Sequence, residues 1–260
     1  MALTYGSYLR IPELLSLQTP VSEGPEHDEM LFIVIHQVYE LWFKQQLHET
    51  DQAHRQLAVG HESGAAATIG RMRTILKTMV AQIDVLETMT PIQFLSFRKF
   101  LDNSSGFQSW QFREWEFALG KKSERGLAIH PAGSPERATL DARYAAPTLW
   151  DAFARRLAAR GLPVPASVLD RDVTKAVTAD TAMQDVLLTL YRTRGDLRSV
   201  CELFVDLDEG IQEWRYRHVK MVERTIGFKP GTGGSSGAEY LRATLFQPLF
   251  PDLWAIRSSL

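Results

Sequence analysis

Cysteine is nearly absent. Cys201 is the single one in 260 residues, so no disulfide can form within the chain. That excludes a disulfide-held scaffold and makes a reducing, cytoplasmic compartment the expected setting. Excess charge is lacking too: Lys and Arg total 29 against 31 Asp and Glu, a formal net charge of −2. This leaves no basic surface for nucleic acid and no acidic tail. The longest clean apolar run, residues 30–35, is far too short to cross a membrane. The opening stretch MALTYGSYLRIPELL has no charged segment leading into a long apolar core, so it does not read as a signal peptide. Strand-type alternation and internal repeats are missing as well. With 45% hydrophobic and 23% charged residues, the chain has the balance of a packed protein, which excludes extensive disorder.

What is present is helical periodicity. Phe32, His36, Tyr39, Phe43 and Leu47 recur at three- and four-residue intervals, which predicts one face of a helix over 28–47. Ser22 or Asp28 is placed to cap its start. Ile69, Met72, Ile75, Leu76, Met79, Ile83 and Leu86 form a second stripe within 65–89. Thr90 followed by Pro91 reads as a cap and first helical residue, opening a helix to about 101. Helical spacing resumes at 108–119, 149–159, 181–194 and 197–226, and again at 238–244. Residues 120–147 are rich in Lys, Arg, Gly, Pro and Ala and read as a surface excursion or loosely packed connection, with room for a short helix. The expectation is an all-α protein, one domain over 1–260.

Seven histidines are available, and two stand out. His36 and His218 each lie on the apolar face of a long predicted helix. Each alone reads as a hydrogen-bonded core histidine. Two on separate helices suggest a shared cavity, where a neutral imidazole suits a haem's axial position or accepts a bond from a ligand N–H. Other metal patterns fail on spacing: after His48-Glu49, Gln52 stands where HExxH needs histidine, and no paired Glu-x-x-His occurs. His27-Asp28-Glu29 reads as an acidic helix start favoured by the helix dipole, and Cys201 reads as packing. Gly231-Thr232-Gly233-Gly234-Ser235-Ser236-Gly237 is neither a Walker loop nor a dinucleotide fingerprint. It is either a flexible linker or a nest of backbone N–H groups for a carboxylate or phosphate. Arg98 shares a helix face with Phe94 and reads as a snorkelling surface residue or as the bidentate partner of a ligand carboxylate.

Several strings resemble one known family. Phe32-Ile33-Val34-Ile35-His36-Gln37 and Glu40-Leu41-Trp42 resemble the first haem-pocket helix of tryptophan 2,3-dioxygenases. So do Thr90-Pro91 through Phe97-Arg98, Ser104-Ser105-Gly106-Phe107-Gln108-Ser109 and Trp214-Arg215-Tyr216-Arg217-His218-Val219. The glycine loop followed by Tyr240-Leu241 completes the set, in order along nearly the whole chain.

The resemblance implies a helical haem-binding domain of the tryptophan/indoleamine dioxygenase type, with one haem b per subunit in a homotetramer. Such enzymes insert both atoms of O2 across the indole C2–C3 bond of L-tryptophan, giving N-formyl-L-kynurenine and opening the kynurenine route of tryptophan catabolism. Carried over by residue, His218 corresponds to the proximal iron ligand and His36 to the distal, catalytic residue facing the indole N–H. Phe32 and Phe94 correspond to the walls of the indole slot, Arg98 to the carboxylate clamp, and Thr232 to a contact for the amino acid head. Ser105 and Gly106 correspond to the haem edge. Tyr5 and Tyr8 correspond to an N-terminal arm, 1–20, that reaches a neighbouring subunit's pocket. The sequence departs from the family pattern at Phe94, where some members carry Tyr, at Ile35, Val38 and Pro230. These departures leave open a homologue acting on a substituted tryptophan, including one that adds a single oxygen to give an oxindole. A haem or ligand carrier without turnover is the alternative of another class; an amino acid clamp argues against it.

Overall fold

A computed structural model describes residues 2–229 and 238–260. Among them fourteen α-helices are formed and no strand. Two short ones, α1 (Tyr5–Leu9) and α2 (Ile11–Leu14), precede α3 (His27–Ala58) and α4 (Glu62–Leu86). Then come α5 (Pro91–Arg98), α6 (Trp110–Leu119), α7 (Glu124–Leu127), α8 (Pro135–Ala145), α9 (Leu149–Ala159) and α10 (Ala166–Leu169). The remainder is α11 (Thr181–Thr193), α12 (Gly195–Ile226), α13 (Ala238–Arg242) and α14 (Pro251–Ala255). No helix among the described residues is long and apolar enough to cross a membrane.

Helix α4 lies between the two longest helices, α3 and α12, and the predicted α4 stripe is buried against both. Helices α6 and α9 pack on α3, while α11 and α14 close the far side of α12. The core between them is aromatic: Trp150, Phe153, Phe204 and Phe250 are almost fully buried, with Phe204 and Phe250 edge to face at 4.7 Å. Cys201 is buried in this core, as packing predicts. Beside these aromatics, Asp208 accepts from the backbone N–H groups of Leu249 and Phe250 at 2.8 and 3.1 Å and from Trp254 Nε1 at 3.0 Å. One buried carboxylate thereby ties the C-terminal segment to α12. Burial pushes its pKa up, against these donors.

Two expectations need correction. Helix α3 runs eleven residues past Leu47, to Ala58. Its second half looks polar in sequence, yet Gln46, Glu49 and Thr50 are buried and take partners from other elements. Gln46 donates to the Met72 carbonyl at 2.9 Å, Arg71 reaches Glu49 at 3.0 Å, and Thr50 accepts from Trp115 Nε1 at 3.2 Å. Gly60, at φ +78°, then ends the helix by a paired return of N–H groups, His61 to Gln56 at 2.8 Å and Gly60 to Leu57 at 3.2 Å. Residues 120–147 are not loose either. They form α7 and α8 around Phe117, Leu127 and Leu140. Lys122 Nζ donates to the carbonyls of Arg143, Tyr144 and Ala146 at 2.6–2.9 Å, capping α8. The start of α3 also departs from simple capping. Ser22 accepts from the Glu26 N–H, and buried Glu29 takes the backbone N–H groups of Val21 and Ser22.

Candidate active site

A cavity opens where α3, α5, α6 and α12 meet. Four short-range devices aim side chains into it. Thr90 caps α5 in a reciprocal capping box with Gln93, and Pro91 takes the first turn, so that Phe94, Phe97 and Arg98 fall on consecutive turns. Ser105 and Ser109 cap the short 3-10 turn at 106–108 and the start of α6. On α3, the spacing of Phe32 and His36 puts both on the cavity wall, and on α12 Trp214 and His218 stand one turn apart.

His36 Nδ1 lies 2.7 Å from the Phe32 carbonyl. A carbonyl only accepts, so Nδ1 carries the proton and Nε2 is left as an acceptor. Burial lowers the pKa of His36, with the Phe32 carbonyl and the Glu40 carboxylate pulling the other way. The imidazole is therefore neutral at pH 7. Phe32 packs against it at 4.0 Å between ring centroids, and Phe94 and Phe97 lie 5.8 and 5.6 Å from Phe32. These rings form an apolar slot beside one neutral acceptor. Arg98 lines the same cavity. Glu40, one turn beyond His36, also lines it and is held by Gln111 Nε2 at 2.8 Å.

His218 faces the cavity from α12. It makes no hydrogen bond among the described residues, and the Trp214 indole stacks on it at 5.3 Å with planes 9° apart. Burial pushes its pKa down to about 4, and His36 adds to that shift. A neutral imidazole with unspent lone-pair capacity, held flat by an indole, is suited to ligate a metal centre.

The structure brings Phe32, His36, Phe94, Arg98, Ser105, Gly106 and His218 to one cavity. Thr232 and the rest of the glycine loop, with Pro230, lie outside the described residues. Tyr5 and Tyr8 do not line the cavity of their own chain; their side chains are exposed, at 78% and 69%. Sequence reasoning missed Arg113, Glu116 and Arg215, which line the cavity on α6 and α12 and are joined by ion pairs. Their one sequence signal was Arg215 beside Trp214, a charged residue at a helix position that the apolar stripe makes buried.

A family model described as tryptophan 2,3-dioxygenase matches residues 1–131 and 167–260. A protein of Herpetosiphon aurantiacus named tryptophan 2,3-dioxygenase is 58% identical over 259 residues, covering 100% of this chain and 99% of its own. One of the same name from an Anaeromyxobacter species is 58% identical, covering 100% and 97%. A third, from Kineococcus radiotolerans, is 46% identical and covers 99% and 91%.

Proposed function

The chain belongs to the tryptophan 2,3-dioxygenase family, and from that premise we propose that it inserts both atoms of O2 across the C2–C3 bond of L-tryptophan to give N-formyl-L-kynurenine. The observation that carries this reading is the meeting of His36 and His218 on one cavity with the Phe32 and Phe94 slot and Arg98. A carrier without turnover has no use for such a slot.

The residues present fit haem b, one per subunit. His218 is neutral, stacked and without a hydrogen-bond partner, so it is the residue that would hold the iron from one side. Ser105 and Gly106 would lie at the cofactor edge. When bound, haem supplies the activation of O2 that no side chain of the cavity can provide.

The protein's own work is binding, orientation and exclusion of water. Phe32 and Phe94 clamp the indole ring, and His36 Nε2 accepts from the indole N–H, which fixes which edge of the ring faces the reacting oxygen. His36 acts by orientation, since an indole N–H is a very weak acid. Arg98 takes the substrate carboxylate, and Thr232 contacts the amino acid head. Phe94 offers no hydroxyl, so the carboxylate relies on Arg98 more heavily than in relatives with Tyr there. Tyr5 and Tyr8, exposed on a short arm, reach a neighbouring subunit's pocket in a homotetramer. The chain acts as one domain over 1–260, in a reducing cytoplasm.

The test is a single reaction. The haem-loaded, reduced enzyme is given L-tryptophan under isotopically labelled O2, and products are read by mass spectrometry. Two labelled oxygens in one ring-opened product are expected. One labelled oxygen in an oxindole, or turnover confined to a substituted tryptophan, would overturn the reading in favour of a specialised homologue.

A further inference from the structure

A histidine that holds a metal usually donates its second ring N–H to a carboxylate or a carbonyl, and that bond sets the plane of the ring. His218 makes no such bond among the described residues. What meets it is the Trp214 indole, 5.3 Å away between ring centroids with planes 9° apart. The two stand four residues apart on α12, the spacing that lays one side chain over the next along a helix.

The indole is itself held from two other helices. Phe43 on α3 meets it edge to face at 6.1 Å, Tyr39 on α3 lies at 6.3 Å, and Phe112 on α6 lies tilted at 5.0 Å. Phe43 also packs on Phe112 at 5.2 Å and on Tyr39 at 6.2 Å, so the three rings form one continuous collar. Tyr39 is anchored further, since its hydroxyl donates to the Met79 carbonyl of α4 at 2.7 Å. Trp214 and Phe43 are both buried, and close packing leaves such rings little room to swing. Tyr39 and Phe43 continue the stripe of α3 that carries Phe32 and His36. One helix face thus builds the slot and braces the ring stacked on His218.

We infer that Trp214 is a positioning residue: by stacking, it sets the plane in which His218 presents its lone pair to the haem iron, with Tyr39, Phe43 and Phe112 holding the indole in turn. The inference rests on the haem reading above. An aliphatic side chain at 214 would fill space but leave the imidazole free to turn about its Cβ–Cγ bond. An aromatic one would keep a flat face against it. The role is therefore carried by the flatness of the side chain and not by its volume.

The experiment reads the iron–histidine stretching line of the reduced, haem-loaded, full-length protein by resonance Raman, together with the rate of haem loss to a scavenging apoglobin. Wild type is expected to give one narrow line. Trp214→Leu should broaden and shift that line and release haem on the order of tenfold faster, the scale of effect expected when the group orienting a metal-bound histidine is removed. Trp214→Phe should restore the narrow line and most of the retention. Leu140→Ala, which empties a buried position near α8, should lower stability and leave the line as in wild type. A wild-type line in Trp214→Leu, a line as broad in Trp214→Phe as in Trp214→Leu, or equal broadening in Leu140→Ala would overturn the role. If Trp214→Leu does not fold, Phe43→Leu serves instead: it keeps the indole and removes one brace, and an unchanged line there would overturn the role equally. Wild type that takes up no haem, or shows no such line, removes the haem reading and the positioning role with it. A wild-type line that survives Trp214→Leu removes only the positioning role.

Discussion

Two regions of the molecule are built on different principles. The walls that carry Phe32, His36 and His218 belong to long helices whose apolar stripes pack on α4, and the side chains in the slot are fixed by neighbours one turn away. The stretch from Gly120 to Pro147 has a small apolar centre, and its hold on the rest is polar. Lys122 caps α8 with three bonds, and Arg143 reaches Asp51 on α3 at 2.7 Å and Glu114 on α6 at 3.0 Å. All of α8 and α9 lies in residues 132–166, which the family model leaves unmatched, yet α9 supplies Trp150 and Phe153 to the main core. The difference teaches that a segment outside a family's common pattern is not thereby outside the fold. Within it, α8 is attached through specific polar partners, which leave no periodic trace, whereas α9 is attached through its apolar face.

The comparison is broken most sharply on the helix side. Replacing His218 by Ala is expected to abolish haem retention and turnover together; normal haem content with full activity would remove the axial assignment. On the excursion side, Leu140→Ala empties a fully buried position and should cost about 3 kcal/mol of stability. Denaturant midpoints would show that loss, while the KM for L-tryptophan stays unchanged; a rise in KM would mean that the two regions are not separable. Arg98→Ala should weaken transition-state binding by about 2–4 kcal/mol, read as a fall in kcat/KM, if it alone takes the substrate carboxylate.

The fourth prediction sharpens the same contrast through pH. His218 titrates at about 4 in the fold and near its ordinary 6.5 when unfolded. The unfolded chain therefore takes up a proton that the fold refuses, and stability present above pH 6.5 is lost as pH falls toward 4. The loss is about 3 kcal/mol at most for haem-free protein. Urea midpoints measured between about pH 7.5 and about pH 4.5 would show it, and His218→Leu should flatten the slope. The smallest effect is local: Thr90→Ala removes the α5 cap and should cost about 1 kcal/mol. A kcat/KM that falls with it would show that the cap also aims Arg98.

What was legible in the sequence follows the same division. The bounds of α9, the Thr90-Pro91 start of α5 and the faces bearing His36 and His218 could be read because apolar spacing and capping chemistry act within a turn or two. The far half of α3 could not, since buried Gln46, Glu49 and Thr50 look like surface residues until Met72, Arg71 and Trp115 are brought to them from distant parts of the chain. Glu116 and Arg215 were hidden for the same reason. They are 99 positions apart, and only the packed fold makes a buried pair of two residues that composition assigns to the exterior. The slot residues beyond that, Phe94 and Arg98 in particular, acquired roles through resemblance; periodicity alone left Arg98 open between a surface side chain and a partner for a ligand carboxylate.

The Asp208 clasp has a consequence for how the enzyme is made. Apart from Gln212 on its own helix, the carboxylate on α12 is paired by Leu249, Phe250 and Trp254 from a segment further along the chain. The helix that bears His218 therefore reaches its final packing only with that segment docked on it. A chain in which that segment is displaced is left with an exposed aromatic core for quality control to find.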